Sequence, residues 1–218
     1  MGAPIPGLAM LMTLADSRLP VGGHVHSGGV EEAIAEGIVS DIATLDAYLS
    51  RRIRISGAVA ASIAAAVASQ VLTARDADAE TDARTPSPAA RAASRSQGRG
   101  LRRLAETVWP RPDWTALGRR PHLPVVAGMV GAVTGLGPLE TASVQIYTAM
   151  TGAAIAAQRL LALDPGAVAA CTIGLTAECD RVAESVTSAL PALADLSDPL
   201  LDYLGERHVR RERPLFAS

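Results

Sequence analysis

The hydrophobic pattern along the chain is helical. Segment 44–54 illustrates this pattern, because Leu45, Tyr48 and Leu49 fall at the three- and four-residue spacing of one helix face. Patterns that alternate between apolar and polar residues, which are typical of half-buried strands, are nearly absent. We therefore predict an all-α fold, a single-domain helical bundle that spans residues 1–218.

Capping residues and prolines predict where the other helices begin and end. Ser27 is placed to cap a helix whose first turn carries Glu31, a favourable position for a carboxylate. Gly37 suits the left-handed position after the end of that helix, and Pro88 suits the first turn of a later one. The predicted helices cover residues 8–16, 28–36, 44–54, 56–74, 88–108, two stretches within 123–163, 167–190 and 198–208.

Two stretches differ from this pattern in composition. Residues 76–87 combine a run of acidic side chains with a Thr-Pro-Ser ending, which predicts a flexible, disordered connector inside the bundle. Residues 209–218 are basic but carry the apolar pair Leu215 and Phe216. An apolar pair on a charged tail either folds back onto the bundle or inserts into another protein, and we predict a partner-docking tail.

The composition indicates how the interior is filled. Apolar residues make up 49% of the chain but aromatic residues only 3%, so small side chains must fill the core of closely packed helices. Segments 56–74, 123–139 and 141–158 carry almost no charge and approach the length of a membrane span. They consist largely of Ala, Gly, Ser and Thr, which favours buried bundle helices and leaves a membrane-embedded protein as the weaker alternative.

The charged residues and the cysteines exclude several classes of function. All 20 cationic residues are arginine, so a Walker A loop and Schiff-base chemistry, which both need a lysine, are excluded. A net charge of −2 argues against nucleic-acid binding. The two cysteines, Cys171 and Cys179, form no disulfide framework, which is typical of a cytoplasmic protein.

The most distinctive local sequence lies near the N-terminus. It runs Leu19-Pro20-Val21-Gly22-Gly23-His24-Val25-His26-Ser27-Gly28-Gly29-Val30-Glu31. Two glycine pairs allow sharp turns and a close approach to a neighbour, which favours a structural or interface role. His24 and His26 are close enough to share a metal ion in an extended segment, but two imidazoles are an incomplete ligand set. Metal binding is therefore the second hypothesis for this segment.

This segment resembles a motif of the UreF family, the urease accessory proteins that act as nickel-insertion chaperones. The Leu-Pro-Val-Gly-Gly run and the residues Ser27, Gly29 and Glu31 align without gaps, whereas His24 and His26 replace the usual Phe and Tyr. The resemblance implies that partner-binding residues lie here, namely Pro20, Gly22, Gly23, His24, His26, Ser27 and Glu31.

Other stretches resemble the same family in the same order. The C-terminus matches at His208, Leu215 and Phe216, which implies partner binding by the tail. A polar helix around residues 94–101 and a Gln-Arg-Leu-Leu stretch at 158–161 match more loosely.

The polar helix also carries a regular charge pattern. Arg91, Arg95 and Arg99 stand four residues apart and form one stripe. Such a stripe suits an acidic partner surface, or a plain solvated helix face. We include the three arginines among the candidate partner-binding residues.

The resemblance implies a helical homodimer that binds a second accessory protein, UreD (also called UreH), and the GTPase UreG. This complex delivers nickel to apo-urease. The chain is then expected to be a cytoplasmic bridge that modulates GTP hydrolysis by UreG, and not an enzyme. It needs no cofactor, no nucleic acid and no membrane. The alternative is a small nickel carrier that uses His24 and His26 directly.

Overall fold

The computed structural model describes residues 7–16, 19, 26–211 and 215. These residues form α-helices and contain no β-strand, which confirms the all-α prediction. The helices are α1 (Leu8–Leu14), α2 (Val30–Ala35), α3 (Ile42–Arg52), α4 (Ala58–Ala68), α5 (Ala74–Ala83), α6 (Pro88–Val108), α7 (Leu123–Thr134), α8 (Pro138–Leu161), α9 (Pro165–Gly174), α10 (Thr176–Ser188) and α11 (Pro199–Val209). A π-helical turn, Ile53–Gly57, joins α3 to α4, and a 3₁₀ turn, Trp114–Leu117, precedes α7.

Local capping explains several of the helix starts. Asp41 accepts a hydrogen bond from the Thr44 amide at 2.8 Å, and the Thr44 hydroxyl accepts one from the Asp41 amide at 3.0 Å. This reciprocal capping box satisfies two amides that the first turn of α3 leaves without helical partners. Ser87 caps α6 and Asp198 caps α11, and each is followed by a proline in the first turn.

The alanine-rich helix α4 lies at the centre of the bundle. Nine of its eleven residues are buried, and it packs against α5, α7, α8 and α10. It contributes Ala61 and Ala65 to one hydrophobic cluster, and Ile63 and Val67 to a second. Small residues permit this packing, because a Cβ atom added to Gly128 of α7 would lie 2.6 Å from the Ala64 carbonyl oxygen.

The predicted disordered connector at residues 76–87 is wrong over most of its length. Helix α5 covers residues 74–83, and the Thr73 hydroxyl caps it by accepting the Asp76 amide at 3.1 Å. Its acidic side chains are not only solvated, since Asp78 and Asp82 bind groups from α6 and from the start of α7. Bonds to these distant residues, including ion pairs with Arg95, stabilise the acidic segment as a helix, and composition alone does not reveal them.

Two smaller predictions also need correction. The stretch predicted as one helix over 167–190 is two helices, α9 and α10, which meet at Leu175. Ser27 does not cap α2, because Gly29 occupies the N-cap position and no side-chain cap bond forms there. The Ser27 hydroxyl is instead buried without a hydrogen-bond partner.

The uncharged helices do not meet the requirements of a bilayer span. Within the described residues, no helix is both long enough and apolar enough to cross a membrane.

Two glycines on different helices provide a test of how tightly the helices pack. In α6, a Cβ atom added to Gly98 would come within 2.9 Å of the His122 and Leu123 backbone, whereas one added to Gly152 of α8 meets nothing within 4 Å. We expect Gly98→Ala to lower the free energy of unfolding by about 1–3 kcal/mol through overpacking. Gly152→Ala should leave it unchanged or raise it by up to about 1 kcal/mol, because alanine favours helix. Urea denaturation measures both, and a neutral Gly98→Ala would contradict the packing described here.

Candidate partner-binding site

The end of α11, together with Arg211 and Leu215, lies against helix α2, and we call this contact the tail junction. The Glu31 carboxylate bonds His208 Nε2 at 2.8 Å through one oxygen and accepts the Leu215 backbone amide at 2.9 Å through the other. Glu32 accepts Arg211 at 2.9 Å. The junction comprises Glu31 and Glu32 of α2 and the C-cap residue Glu36, with Arg207, His208, Arg211 and Leu215.

Burial makes the central pair of the junction energetically important. Glu31 is 5% exposed and His208 is 2% exposed. A buried carboxylate is strongly destabilising unless it is paired, and the bonds from His208 and the Leu215 amide help to accommodate the charge of Glu31. The two groups are 177 positions apart in the chain, so the local sequence does not reveal that they meet.

The glycine pair that precedes α2 is required by both backbone shape and space. Gly28 and Gly29 have φ values of +60° and +87°, which side-chain-bearing residues rarely adopt. A Cβ atom on Gly28 would meet the Arg52 guanidinium, and one on Gly29 would lie 3.1 Å from the Tyr48 hydroxyl. Tyr48 and Arg52 both donate to the Gly28 carbonyl, and these two bonds fix the glycine pair against α3.

A groove of about 700 Å³ begins beside Gly28 and Gly29. His26, Gly28 and Arg52 line one part of it, and much of the remaining wall is apolar and comes from α4, α6, α7 and α8. Thr141 adds a buried hydroxyl that has no hydrogen-bond partner. The groove therefore places part of the N-terminal motif at the edge of an apolar surface.

Comparison of the amino-acid sequence with those of known proteins identifies one family. The sequence model of the UreF family matches residues 39–176. A urease accessory protein UreF from Mycobacterium sp. (strain JLS) is 66% identical over 97% of the chain and 99% of its own length. The chain belongs to the UreF family of urease accessory proteins.

Other relatives agree. A urease accessory protein UreF from Mycolicibacterium vanbaalenii is 64% identical, and one from Mycobacterium tuberculosis is 62% identical. In both cases the similarity covers 97% of this chain and 99% of the relative. The resemblance that the N-terminal motif indicated is therefore confirmed at the level of the family.

The structure brings together only some of the candidate residues. Ser27 and Glu31 are buried, His26 is half-buried, and Leu215 is 79% exposed. The other candidates of the two terminal motifs lie outside the described residues, namely Pro20, Gly22, Gly23, His24 and Phe216. Partner binding by all of these residues stays a prediction. For Glu31 and His208, the geometry is that of internal support, because both face each other and not solvent.

The arginine stripe of α6 has internal partners. Arg95 is held between Asp78 at 3.0 Å and Asp82 at 2.6 Å, and Arg91 donates to the carbonyls of Thr85 and Pro86. These bonds attach α6 to α5 and to the loop that joins them. Arg99 is half-buried and belongs to the same face. Two of the three arginines are therefore bonded within the protein, Arg95 to α5 and Arg91 to the loop between α5 and α6.

His122, which no sequence motif indicated, lies at the centre of a cluster with Asp78, Asp82, Ser94 and Arg95. Its imidazole is fully buried, with Nε2 2.8 Å from Asp82 and Nδ1 3.0 Å from the Ser94 hydroxyl. Burial lowers the pKa of His122 below its ordinary value of 6.5, and although the bond to Asp82 opposes this, the nearby Arg95 adds to it. The ring is thus neutral at pH 7, with Nε2–H donating to Asp82 and Nδ1 accepting from Ser94.

Two chemical roles for this cluster are disfavoured by its own bonds. Ser94, His122 and Asp82 are the residue types of a hydrolase triad, but the Ser94 oxygen also accepts the Leu123 amide at 3.2 Å and so caps α7. Asp78, Asp82 and His122 place ligand atoms within 4.8 Å of one another, as a metal site requires. Arg95 already bridges both carboxylates, however, so the cluster joins α5, α6 and α7.

The pKa of His122 predicts how stability depends on pH. The folded-state pKa is depressed, so below about pH 6.5 the unfolded chain takes up a proton that the folded chain excludes, and stability falls as the pH falls. We expect His122→Gln to lose about 1–3 kcal/mol at pH 7, because buried hydrogen bonds are lost. Its remaining stability should then fall less steeply from pH 7 to pH 5 than that of the wild type. Parallel curves in chemical denaturation would contradict the assignment.

Proposed function

We propose that this UreF-family protein bridges UreD (UreH) and the GTPase UreG while nickel is inserted into apo-urease. It acts by binding these proteins and modulates the GTP hydrolysis that UreG performs. The observation that carries the proposal is the tail junction, where the N-terminal motif and the C-terminal tail meet at Glu31.

The surface beside the junction supports a docking role. The Leu215 backbone amide donates a hydrogen bond to Glu31, while Leu215 is 79% exposed. Tyr203 and Val209 of α11 are also exposed, at 49% and 62%. Apolar side chains on a fixed backbone lose little conformational freedom on binding, which favours an interface with another protein. Phe216, which lies outside the described residues, stays a predicted partner-binding residue.

The chemistry of the chain supports a binding role rather than catalysis. Nucleotide hydrolysis on a Walker A loop needs a lysine, and the chain has none, so the GTPase must be another chain. Burial raises the pKa of both Cys171 and Cys179 to about 11. Both thiols therefore stay protonated at neutral pH and are poor nucleophiles and metal ligands.

The alternative function is a nickel carrier that binds the metal through His24 and His26. Among the described residues, His26 belongs to no group of three metal-ligating side chains. We treat nickel as cargo of the complex. Nickel titration of the isolated chain separates the two functions, because a stoichiometric site that is lost in His24→Ala would favour the carrier.

The assembly and its location complete the proposal. We propose a homodimer in the cytoplasm, with one UreD-binding surface on each subunit. The two buried thiols suit a reducing compartment. Light scattering of the purified chain would measure the number of subunits.

Removing the tail tests this function. We expect truncation after Arg211, or Leu215→Ala, to weaken binding to purified UreD at least about tenfold, since a central interface anchor contributes about 2 kcal/mol or more and tenfold corresponds to about 1.4 kcal/mol. The matched control is Ile173→Ala on α9, which removes an apolar side chain that is 68% exposed. Biolayer interferometry measures the affinities. Unchanged UreD affinity in both tail variants would overturn the proposal.

A further inference from the structure

Positive charge is concentrated at the C-terminal end of α6 and in the loops that follow it. Residues 99–120 contain six arginines and two carboxylates, although the net charge of the whole chain is −2. Both carboxylates have local partners. Glu106 accepts Arg102 at 2.8 Å, and Asp113 caps the 3₁₀ turn by accepting the Thr115 amide at 2.9 Å. Most of the positive charge of this region is therefore not balanced by its neighbours in sequence.

Two arginines of α6 hold the loop after the 3₁₀ turn against the helix. Arg95 donates to the Arg120 carbonyl, and Arg102 donates to the Gly118 carbonyl. These two arginines are seven positions apart, so they lie on one helix face, and Arg99 stands between them on that face. Both acceptors are uncharged carbonyls. The bonds therefore position the loop along α6 without bringing a negative charge to it.

The loop and the helix together form a surface of four arginines, which we call the basic surface. It consists of Arg99 and Arg103 of α6 with Arg119 and Arg120 of the loop. Arg99 is half-buried and the other three are exposed, and none of the four forms an ion pair within the described part of the chain. Arg99 and Arg103 are four positions apart on one helix, a spacing at which like charges repel. Carboxylates supplied by another molecule would offset this repulsion.

The side-chain chemistry favours an acidic protein as that molecule. A guanidinium group stays charged at all physiological pH values and presents two parallel N–H donors to a carboxylate. Nucleic acid is a poorer complement, because a long polyanion would also approach the rest of a chain whose net charge is negative. A compact acidic patch on a folded protein matches the limited extent of the basic surface.

The basic surface lies far from the tail junction. Helix α11 packs at the start of α6, where Glu206 accepts the Ser87 hydroxyl at 2.6 Å and the Ala89 amide at 2.8 Å. Arg103 follows Ala89 by 14 positions on α6, which separates the two by about 21 Å along the helix axis. A protein that docks at the tail junction therefore need not cover the basic surface.

We propose that the basic surface binds an acidic patch on UreG while UreD binds at the tail junction. This inference rests on the proposed function, since a bridge between two proteins needs two separate surfaces, and it adds the location and the chemistry of the second one. The free positive charge is thus displaced from the predicted stripe. Arg91 and Arg95 are bonded within the protein, and of that stripe only Arg99 belongs to the basic surface.

Charge reversal in the full-length chain tests the basic surface. Arg103→Glu and Arg119→Glu each reverse one exposed charge, one in the helix and one in the loop, and neither removes a side-chain bond of the described structure. We expect each variant to weaken UreG binding at least about fivefold, mainly through slower association, because an attraction is replaced by a repulsion. UreD affinity should change by less than about twofold. Biolayer interferometry measures UreG binding to the chain alone and to its complex with UreD.

Arg181→Glu is the matched control. Arg181 lies on α10, is exposed and forms no ion pair within the described residues, so its reversal changes the net charge equally at another site. We expect it to change UreG affinity by less than about twofold. Raising NaCl from about 50 mM to about 300 mM should weaken UreG binding more for the wild type than for Arg103→Glu, since screening acts on the charges that the variant removes.

Four results would overturn the basic surface. These are unchanged UreG affinity in both surface variants, an equal loss in Arg181→Glu, a loss that affects apo-urease or a DNA duplex in place of UreG, and absence of UreG binding to the wild-type chain with or without UreD. The proposed docking of UreD fails separately. Unchanged UreD affinity after truncation at Arg211 would remove it, whereas a selective loss of UreG binding in Arg103→Glu and Arg119→Glu would still support the basic surface.

Discussion

Close packing of small side chains around α4 is the constraint on which the bundle depends. Helix α7 approaches so closely that a methyl group on Gly128 would press against the Ala64 carbonyl and the Val67 side chain, and α8 and α10 pack on other faces of α4. With 3% aromatic residues, the chain has few large side chains to fill gaps between more distant helices. The short helix α2 and the final helix α11 pack against α8 and α6 and against each other, and they bury Val30, Ala33 and Leu204 in the cluster that contains Ala61 and Ala65. These two helices carry the two motifs that resemble the UreF family.

A second constraint acts on helices α2 and α11. A carboxylate that is 5% exposed needs partners, and Glu31 finds them in His208 and the Leu215 amide. The resulting junction uses no reactive group, since its donors and acceptors are engaged with one another. Leu215, Tyr203 and Val209 are exposed apolar residues of the same C-terminal region. The structure thus favours recognition of another protein, in agreement with the accessory role that names its family.

The predictable parts of the fold are those that local signals determine. The first-turn proline of α6 and the Asp-Pro start of the helix over 198–208 were predicted from sequence, since capping and first-turn proline act within a few residues. Helix α5 was missed because its carboxylates are bonded by Arg95 and His122, which lie 13 and 40 positions from Asp82. The pairing of Glu31 with His208 was missed for the same reason. Both residues were recognised within their motifs, but only the folded bundle brings them together.

The central claim is that the N-terminal motif and the C-terminal tail bind UreD as one surface. The most direct test is a hydrogen-exchange footprint of the full-length chain during titration with UreD. The account predicts that peptides containing His26–Glu31 and Arg207–Leu215 gain protection together, with the same midpoint in UreD concentration. Protection confined to one of the two segments, or found only on another face such as α9, would contradict it.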